Sequence, residues 1–180
     1  MTDKALWLVT GGAGFIGSNI AEELVRRGKR VRILDNLSTG KIEFMDGFRG
    51  QVDFVKGDIR AFEDCRKAVR GCDYVIHQAA IRAVAKSVDL PQETHEVNAT
   101  GTLNMLMAAK QAKVQRFVYA SSSSVYGECV KFPEQERFKP EPVSPYACQK
   151  LMGELYAIMF TKTYGLETVS LRYFNVFGPR

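Results

Sequence analysis

Short runs of apolar and β-branched residues alternate with longer stretches of helical periodicity, and this alternation constrains the fold more than any other feature of the 180-residue chain. It is typical of a parallel sheet whose two faces are covered by helices. We therefore predict an α/β fold with a doubly wound parallel sheet. The candidate strands are residues 5–10, 31–34, 52–55, 74–77, 116–121 and 168–173.

The stretches between these strands predict helices over residues 16–27, 61–69, 91–112 and 146–163. Gly28 is the expected C-cap of the first, while Ser144 and Pro145 are typical of an N-cap and first helical residue. A chain of 180 residues that is 46% hydrophobic can bury one sizeable core. We predict a single domain over residues 1–180, with a long proline-containing loop at 127–145 that is expected to be functional.

Composition excludes several other classes of function. The net charge is +5, but the charges are interspersed, so nucleic-acid binding is not expected. No apolar run approaches the ~20 residues of a membrane span, and the first residues, with Asp3 and Lys4, do not resemble a secretory signal. With no CxxC pair and two histidines, no metal site is expected. Reduced thiols, and therefore a cytoplasmic location, account for the cysteines, which are Cys65, Cys72, Cys129 and Cys148.

A glycine-rich turn, TGGAGFIGS, follows the first strand and opens the first helix. Gly12, Gly14 and Gly17 match GxGxxG, and Gly11, Gly14 and Gly17 match the wider GxxGxxG. Either spacing supplies a tight turn, a backbone without Cβ atoms where a pyrophosphate approaches, and free amides at the positive end of a helix. The motif predicts that the fold is Rossmann-like and binds a dinucleotide.

Two aspartates follow the next two strands. Asp35 ends the second strand, where a carboxylate accepts hydrogen bonds from both ribose hydroxyls of an adenosine and repels a 2′-phosphate. NAD is therefore favoured over NADP. Arg32 and Lys41 are the nearby cations that could pair with a 2′-phosphate and so favour NADP. Asp58 ends the third strand in the tripeptide GDI, where it could accept a hydrogen bond from the adenine amino group.

Tyr146 and Lys150 are four residues apart on a predicted helix, so their side chains share a face and can approach one ligand. A lysine ammonium and the positive charge of an oxidised nicotinamide would both stabilise tyrosinate and lower the tyrosine pKa from ~10. The tyrosine could then remove a proton from a hydroxyl while a hydride leaves the adjacent carbon. His77, at the end of a buried strand, is expected to be a structural core residue.

Taken in order, the motifs resemble the extended short-chain dehydrogenase/reductase family, and within it the nucleotide-sugar (UDP-hexose) 4-epimerases. The resemblance spans residues 5–180. It implies that Ser122, four residues before Tyr126, joins Tyr146 and Lys150 as a catalytic residue; Ser121 and Ser123 are the neighbouring alternatives. The motifs are TGGAGFIGS, LDNLSTG, GDI, HQAA, SSSSVYG, SPYACQK and RYFNVFGPR.

The resemblance also implies a site for NAD and a UDP-sugar. The substrate would contact Ser122, Tyr146 and Asn175, the last through the sugar-nucleotide phosphates. Besides the glycines, Asp35, Tyr146 and Lys150, the residues implied at the cofactor are Phe15, Ile16, Asn36, Ser38, Thr39, Gly40, Asp58, Ile59, Ala79, Ala80, Arg82, Asn98 and Tyr173.

The implied reaction is transient oxidation at carbon 4 of a UDP-hexose, rotation of the keto sugar and return of hydride, with no net redox change. Dehydratases of the wider family carry an Asp-Glu pair where Ser123 and Ser124 stand, so dehydration is disfavoured. A non-catalytic NAD-binding module and a dehydrogenase or decarboxylase remain alternatives, and the identity of the sugar stays open.

The resemblance carries two further expectations about the whole protein. Relatives continue for well over a hundred residues into a C-terminal substrate domain that is absent from this chain, which is therefore expected to bind NAD and to turn over sugar poorly by itself. A homodimer is implied through the helix that starts at Pro91 and the one that starts at Tyr146.

Overall fold

All six predicted strands form one parallel sheet, and each lies within one or two residues of its predicted bounds. The computed structural model describes residues 5–128 and 131–180; the predictions that concern Asp3, Lys4 and Cys129 lie outside these ranges. The strand order is β3-β2-β1-β4-β5-β6. The strands are β1 (Leu6–Thr10), β2 (Arg30–Asp35), β3 (Val52–Lys56), β4 (Tyr74–His77), β5 (Arg116–Ser122) and β6 (Glu167–Tyr173).

Helices connect the strands on both faces of the sheet. The predicted ones form as α1 (Phe15–Arg26), α2 (Phe62–Val69) and α6 (Pro145–Tyr164). Gly28 follows α1 with a φ of 70°, and Gly165 ends α6 with a φ of 73°. This left-handed backbone favours glycine and ends a helix without a steric penalty.

Two local features differ from the sequence prediction. A short helix, α3 (Val84–Asp89), precedes the long predicted one; its six residues are too few to show a helical period. The long helix itself is divided into α4 (Pro91–His95), a π-helical turn over Glu96–Thr100, and α5 (Gly101–Gln111). Turns of this kind leave the apolar pattern almost unchanged, and they occur often at functional sites.

The two faces of the sheet carry separate cores, as expected for a doubly wound fold. Adjacent residues Leu8 and Val9 of β1 point to opposite faces, because side chains alternate along a strand. Leu8 packs in the core that contains α2, α5 and α6 residues such as Met105 and Phe160, while Val9 packs in the core beneath α1, with Ala21. The predicted fold is confirmed.

The strand order changes direction between β1 and β4, which is where α/β sheets bind ligands at their carboxyl edge. The chain leaves the sheet at that edge after Thr10, Asp35, His77, Ser122 and Tyr173. The sequence motifs therefore converge on one edge of the sheet. Within residues 5–128 and 131–180, no helix is long and apolar enough to cross a membrane.

Candidate active site

The glycine-rich turn forms a cradle that depends on missing side chains. Gly11 has a φ of 67°, and a Cβ atom there would lie 2.8 Å from the amide nitrogen of Ala79. A Cβ atom on Gly17 would lie 2.9 Å from the Cα of Gly12 and would overlap the carbonyl oxygen of Gly11. Gly14 is the N-cap of α1 and supplies no side-chain cap, so the first amides of the helix point to the cradle. This arrangement fits the pyrophosphate of a dinucleotide.

Asp35 is anchored against the cradle. Its carboxylate is 8% exposed and accepts hydrogen bonds from the amides of Ala13 at 2.9 Å and Leu37 at 2.8 Å. Each carboxylate oxygen has a second lone pair, so the group can still accept from ribose hydroxyls. These two bonds, which the sequence did not predict, hold the carboxylate beside the place where the pyrophosphate is expected.

The turn that contains Ser38, Thr39 and Gly40 lies on top of the cradle. The Lys41 amide donates to the Ala13 carbonyl at 2.9 Å. A Cβ atom on Gly40 would lie 2.9 Å from the Cβ of Ala13, so the two loops are in van der Waals contact. The turn is thereby held against the cradle, and its contact with the cofactor ribose stays a prediction.

Asp58 is held by Arg60, a residue that the sequence analysis did not single out. The Arg60 guanidinium donates to both carboxylate oxygens, at 3.1 and 2.7 Å, and Asn36 donates from its side-chain amide at 2.9 Å. Arg60 lowers the pKa of Asp58 to about 2, with Asn36 contributing, against the opposing effect of partial burial. Asp58 is therefore an ionised acceptor. Ile59 beside it is buried against Gly101.

Neither cation considered for a 2′-phosphate turns toward Asp35. Arg32 donates to Asp53 at 2.6 Å and to the carbonyls of Ala68 and Arg70 at 2.9 and 2.7 Å. The ammonium of Lys41 lies 5.8 Å from the centre of the Phe44 ring. These contacts support the preference for NAD.

His77 is a structural residue, as the sequence analysis predicted. Its ring nitrogens share hydrogen bonds with the hydroxyls of Thr10 at 2.7 Å and Thr102 at 3.1 Å. Burial lowers the pKa of His77 to about 3, so the ring stays neutral near pH 7. The Thr10 hydroxyl also accepts from the Ala79 amide at 3.2 Å. The histidine thus links β1, β4 and α5, and indirectly supports the loop that lies against Gly11.

Asn98, on the π-helical turn, joins this loop to the helix that carries Tyr146. It is 1% exposed; its side-chain oxygen accepts from the Ile81 amide at 2.8 Å, and its nitrogen donates to the Ile81 carbonyl at 3.0 Å and to Gln149 at 2.9 Å. Asn98 therefore braces the loop against α6, and the cofactor contact given to it from the sequence stays a prediction. Gln149, missed at the sequence level, completes the brace.

Ser122 and Tyr146 meet at the end of β5. Burial of the phenol raises the pKa of Tyr146, and the nearby Ser122 side chain offsets part of this effect. Ser122 also accepts from the amide and hydroxyl of Ser124, at 3.2 and 2.8 Å. Ser121 instead donates its hydroxyl to Glu154. Because the Ser121 hydroxyl is used in this way, Ser122 is favoured over Ser121 as the serine of the site.

Two serines hold the start of α6 and thus position Tyr146. Ser144 accepts from the Ala147 amide at 3.2 Å, which is the predicted N-cap. Ser87, on α3, is fully buried and accepts from the Tyr146 amide at 3.1 Å. Sequence reasoning missed Ser87, because nothing in so short a helix identifies its contact with a helix far along the chain.

The effect predicted for Lys150 on the pKa of Tyr146 was stated together with an oxidised nicotinamide, and it stays a prediction. The Lys150 ammonium donates to the Ala120 carbonyl at 2.8 Å and lies 5.8 Å from the centre of the Tyr146 ring. Arg82, rather than Lys150, is the cation that lowers the pKa of Tyr146, after Ser122. The sequence showed that the two side chains share a helix face, but it could not show the depth to which burial desolvates the phenol.

Lys150 is itself buried, and burial lowers its pKa from 10.5 to about 8. Between these two values the unfolded chain binds a proton that the folded chain does not, so stability rises with pH across this window. As the pH rises through this window, the free energy of unfolding of the wild type should increase by on the order of 3 kcal/mol relative to that of Lys150→Met. Urea unfolding measures this difference. Lys162→Met, exposed on the same helix, is the control. A constant difference between wild type and Lys150→Met over this range would contradict the expectation.

The remaining predicted residues lie around the same edge. Tyr173 ends β6, and its hydroxyl accepts from Gln78 at 3.2 Å. Ala80 is half-buried beside Ala79, whereas Arg82 and Asn175 are exposed. Among the residues that the structure describes, no cluster of three His, Cys, Asp or Glu side chains could hold a metal ion. The site therefore consists of a dinucleotide cradle with a serine, a tyrosine and a lysine beside it.

Comparison with known proteins gives the same family throughout. The NAD dependent epimerase/dehydratase family matches residues 7–180. A putative UDP-glucose 4-epimerase of Methanocaldococcus jannaschii is 40% identical over 96% of this chain and 56% of its own length. The chain spans about half the length of the curated relatives it matches.

Solved structures agree in fold over nearly the whole chain. UDP-glucose 4-epimerase of Thermus thermophilus, in complex with NAD, is 45% identical with a TM-score of 0.91, covering 97% of this chain and 57% of that one. A UDP-N-acetylglucosamine 4-epimerase from Methanobrevibacter ruminantium, in complex with UDP-N-acetylmuramic acid, is 42% identical with a TM-score of 0.93, covering 100% and 57%. With a family match over nearly all its length and a cradle of the expected geometry, the chain belongs to the NAD dependent epimerase/dehydratase family.

Proposed function

We propose that this chain is the cofactor-binding and catalytic part of an NAD-dependent UDP-sugar 4-epimerase. The observation that carries the proposal is that Tyr146 and Lys150 lie together at the end of β5, at the sheet edge that also holds the glycine cradle. The Lys150 ammonium donates to the Ala120 carbonyl at 2.8 Å and lies 5.8 Å from the centre of the Tyr146 ring. An acid/base group and a hydride acceptor must both reach one carbon and its hydroxyl, so they need to share an edge in this way.

The cradle is the proposed site of NAD. The amides of Phe15 and Ile16, at the start of α1, would bind the pyrophosphate, and Asp35 would accept from the adenosine ribose. Asn36, with the Ser38–Gly40 turn, would lie beside the ribose, and Asp58 with Ile59 beside adenine. NAD bound in the Thermus relative supports this assignment. When bound, NAD takes a hydride from the sugar carbon and later returns it.

The protein residues would move the proton. Tyr146 would remove it from the hydroxyl on carbon 4, and Ser122 would hold the oxygen in place. Since burial raises the pKa of the phenol in the chain by itself, ionisation would depend on positive charge added at the site, which the oxidised nicotinamide provides. The phenol would return the proton when the hydride comes back to the opposite face of the keto sugar.

The substrate is proposed to be a UDP-hexose, with Asn175 close to its phosphates. The relatives named above are called UDP-sugar 4-epimerases, and they are nearly twice as long as this chain. We propose that the additional half supplies most of the sugar pocket, as the family resemblance implies. Turnover would therefore need that half, whereas NAD binding would not.

Calorimetric titration with NAD tests the first part of the proposal, and we expect binding by the chain as it stands. Conversion of UDP-glucose to UDP-galactose, followed by chromatography, tests the second. It should be efficient when the chain is extended by the C-terminal half of a curated relative and slow without it. Equal turnover by the two forms would contradict the proposal that the C-terminal half supplies most of the sugar pocket. No turnover by either form would contradict epimerisation.

The same assays separate the alternatives. A non-catalytic module would bind NAD but would convert no UDP-sugar in either form. A dehydrogenase or decarboxylase would accumulate NADH, read by its absorbance, whereas an epimerase regenerates NAD. Ser123 and Ser124, which follow Ser122 where dehydratases carry an acidic pair, favour epimerisation over dehydration.

We also propose a homodimer formed through α5 and α6. Large apolar side chains on these helices are left exposed: Met107, Leu155 and Ile158 expose 38%, 58% and 49% of their surface. A second copy of the same helices would bury them, and light scattering would then give twice the 20.2 kDa mass of the chain. A cytoplasmic location is proposed from the free thiols of Cys65, Cys72 and Cys148.

A further inference from the structure

Beneath the proposed catalytic residues lies a buried ion pair that the reaction does not use. Glu154 follows Tyr146 and Lys150 at four-residue intervals on α6, so the three side chains share one face of the helix. Glu154 is 6% exposed, and the Arg172 guanidinium donates to its two oxygens at 2.9 and 2.8 Å. The pairing with Glu154 raises the pKa of Arg172 above its ordinary value.

The pair connects three elements of the site. Glu154 also accepts from the hydroxyl of Ser121, so α6 is tied to β5 as well as to β6. Ser121 and Arg172 are register partners, and the next pair along the two strands is Ser122 with Tyr173. Each anchored strand residue is therefore followed directly by a residue of the proposed site.

The same arginine reaches the 127–145 loop. Its guanidinium lies 4.6 Å from the centre of the Tyr126 ring, and it donates to the Glu136 carbonyl at 3.4 Å. Close packing also holds α6 against β5, because Gly153 leaves room for the Tyr119 ring, which a Cβ atom on Gly153 would overlap. Ser121, Glu154 and Arg172 are called the bracket below.

We propose that Glu154 is a positioning residue for catalysis, which through the bracket fixes the end of β5 and thereby fixes where the Ser122 hydroxyl lies relative to Tyr146. The inference rests on the proposed function, since it assigns a purpose to the geometry of the same two residues. A buried ion pair is weak evidence for stability, because well-packed apolar residues often replace one at no cost. Its hydrogen bond to the residue beside Ser122 points to geometry instead.

Two electroneutral changes test the role. Glu154→Leu combined with Arg172→Met removes both charges and the acceptor of the Ser121 hydroxyl, so no buried ion is left unpaired, and Ser121→Ala removes only the hydrogen bond to β5. Both should let Ser122 move away from Tyr146, and the pKa of the phenol should then rise, because Ser122 lowers it in the wild type. We expect a rise of about one pH unit, since a hydrogen bond contributes about that much.

The titration is followed by NMR of ring-labelled tyrosine, with the Tyr146 resonance assigned by its absence in Tyr146→Phe. The other titratable groups near Tyr146, namely Arg82, Lys150 and Tyr119, are unchanged in both variants. The control is Glu167→Gln with Arg116→Met, an exposed ion pair that joins the same two strands at their other end. It should leave the titration of Tyr146 unchanged.

Turnover by the extended chain should fall about tenfold in both bracket variants, in kcat rather than in KM, while NAD affinity stays within about twofold. If the variant changed at both Glu154 and Arg172 has the unfolding stability of wild type but a lower kcat, the result supports positioning rather than a role in stability. If Tyr146 titrates as in wild type in both variants, or if the control shifts it equally, the inference is wrong. Should Tyr146→Phe itself keep full turnover, it is the proposed function that fails, whatever the titration gives.

Discussion

Replacing Tyr146 with phenylalanine is expected to lower the conversion of UDP-glucose to UDP-galactose by about 10²–10⁴-fold, which is the usual contribution of a positioned acid/base group. Phenylalanine keeps the ring that packs at the start of α6 and removes only the hydroxyl that meets Ser122. NAD affinity should stay within about twofold, because the cradle amides, Asp35 and Asp58 are untouched. The loss should therefore lie in kcat, measured with the chain extended by a relative's C-terminal half.

Tyr164→Phe is the matched control, since Tyr164 is half exposed at the far end of the same helix. Its turnover should equal that of wild type. If Tyr146→Phe lost no more activity than Tyr164→Phe, the phenol could not be the acid/base group, and the assignment of Ser122 beside it would lose its basis. A large rise in KM at constant kcat would instead indicate a binding role.

The fold could be predicted because its signals are local and repeated. β1, β2 and β4 are short apolar runs, and each helix between them starts or ends at a recognisable residue such as Ser144 or Gly28. α3 and the π-helical turn escaped prediction because neither changes the apolar period over a long enough stretch.

The candidate site was predictable where spacing determines geometry, and not where burial does. Tyr146 and Lys150 share a helix face, as four-residue spacing requires. The contacts that hold them come from distant parts of the chain: Ser87 on the Tyr146 amide, Asn98 on Gln149, and Arg172 on Glu154. No local pattern reports such pairs. The rise in the pKa of Tyr146 in the chain by itself could not be predicted for the same reason, since desolvation depends on everything packed around the phenol.

Gly17→Ala should weaken NAD binding by at least about 100-fold, although alanine is the better residue for a helix interior by about 1 kcal/mol. The new Cβ atom would overlap the Gly11 carbonyl oxygen and lie 2.9 Å from the Gly12 Cα. Backbone atoms cannot rotate away as a flexible side chain can, so α1 must move off the turn and carry the Phe15 and Ile16 amides with it. The misfit should also lower the free energy of unfolding by about 1–3 kcal/mol.

Calorimetry with NAD and urea unfolding measure the two effects of Gly17→Ala. The matched control is Gly50→Ala, in the turn Arg49–Gln51, where an added Cβ atom meets nothing within 4 Å. It should change neither quantity appreciably. Because Gly17 lies at the point where helix and turn touch, unchanged NAD affinity in a folded Gly17→Ala protein would mean that the cofactor is held elsewhere on the sheet edge. The amides at the start of α1 would then have no part in binding it.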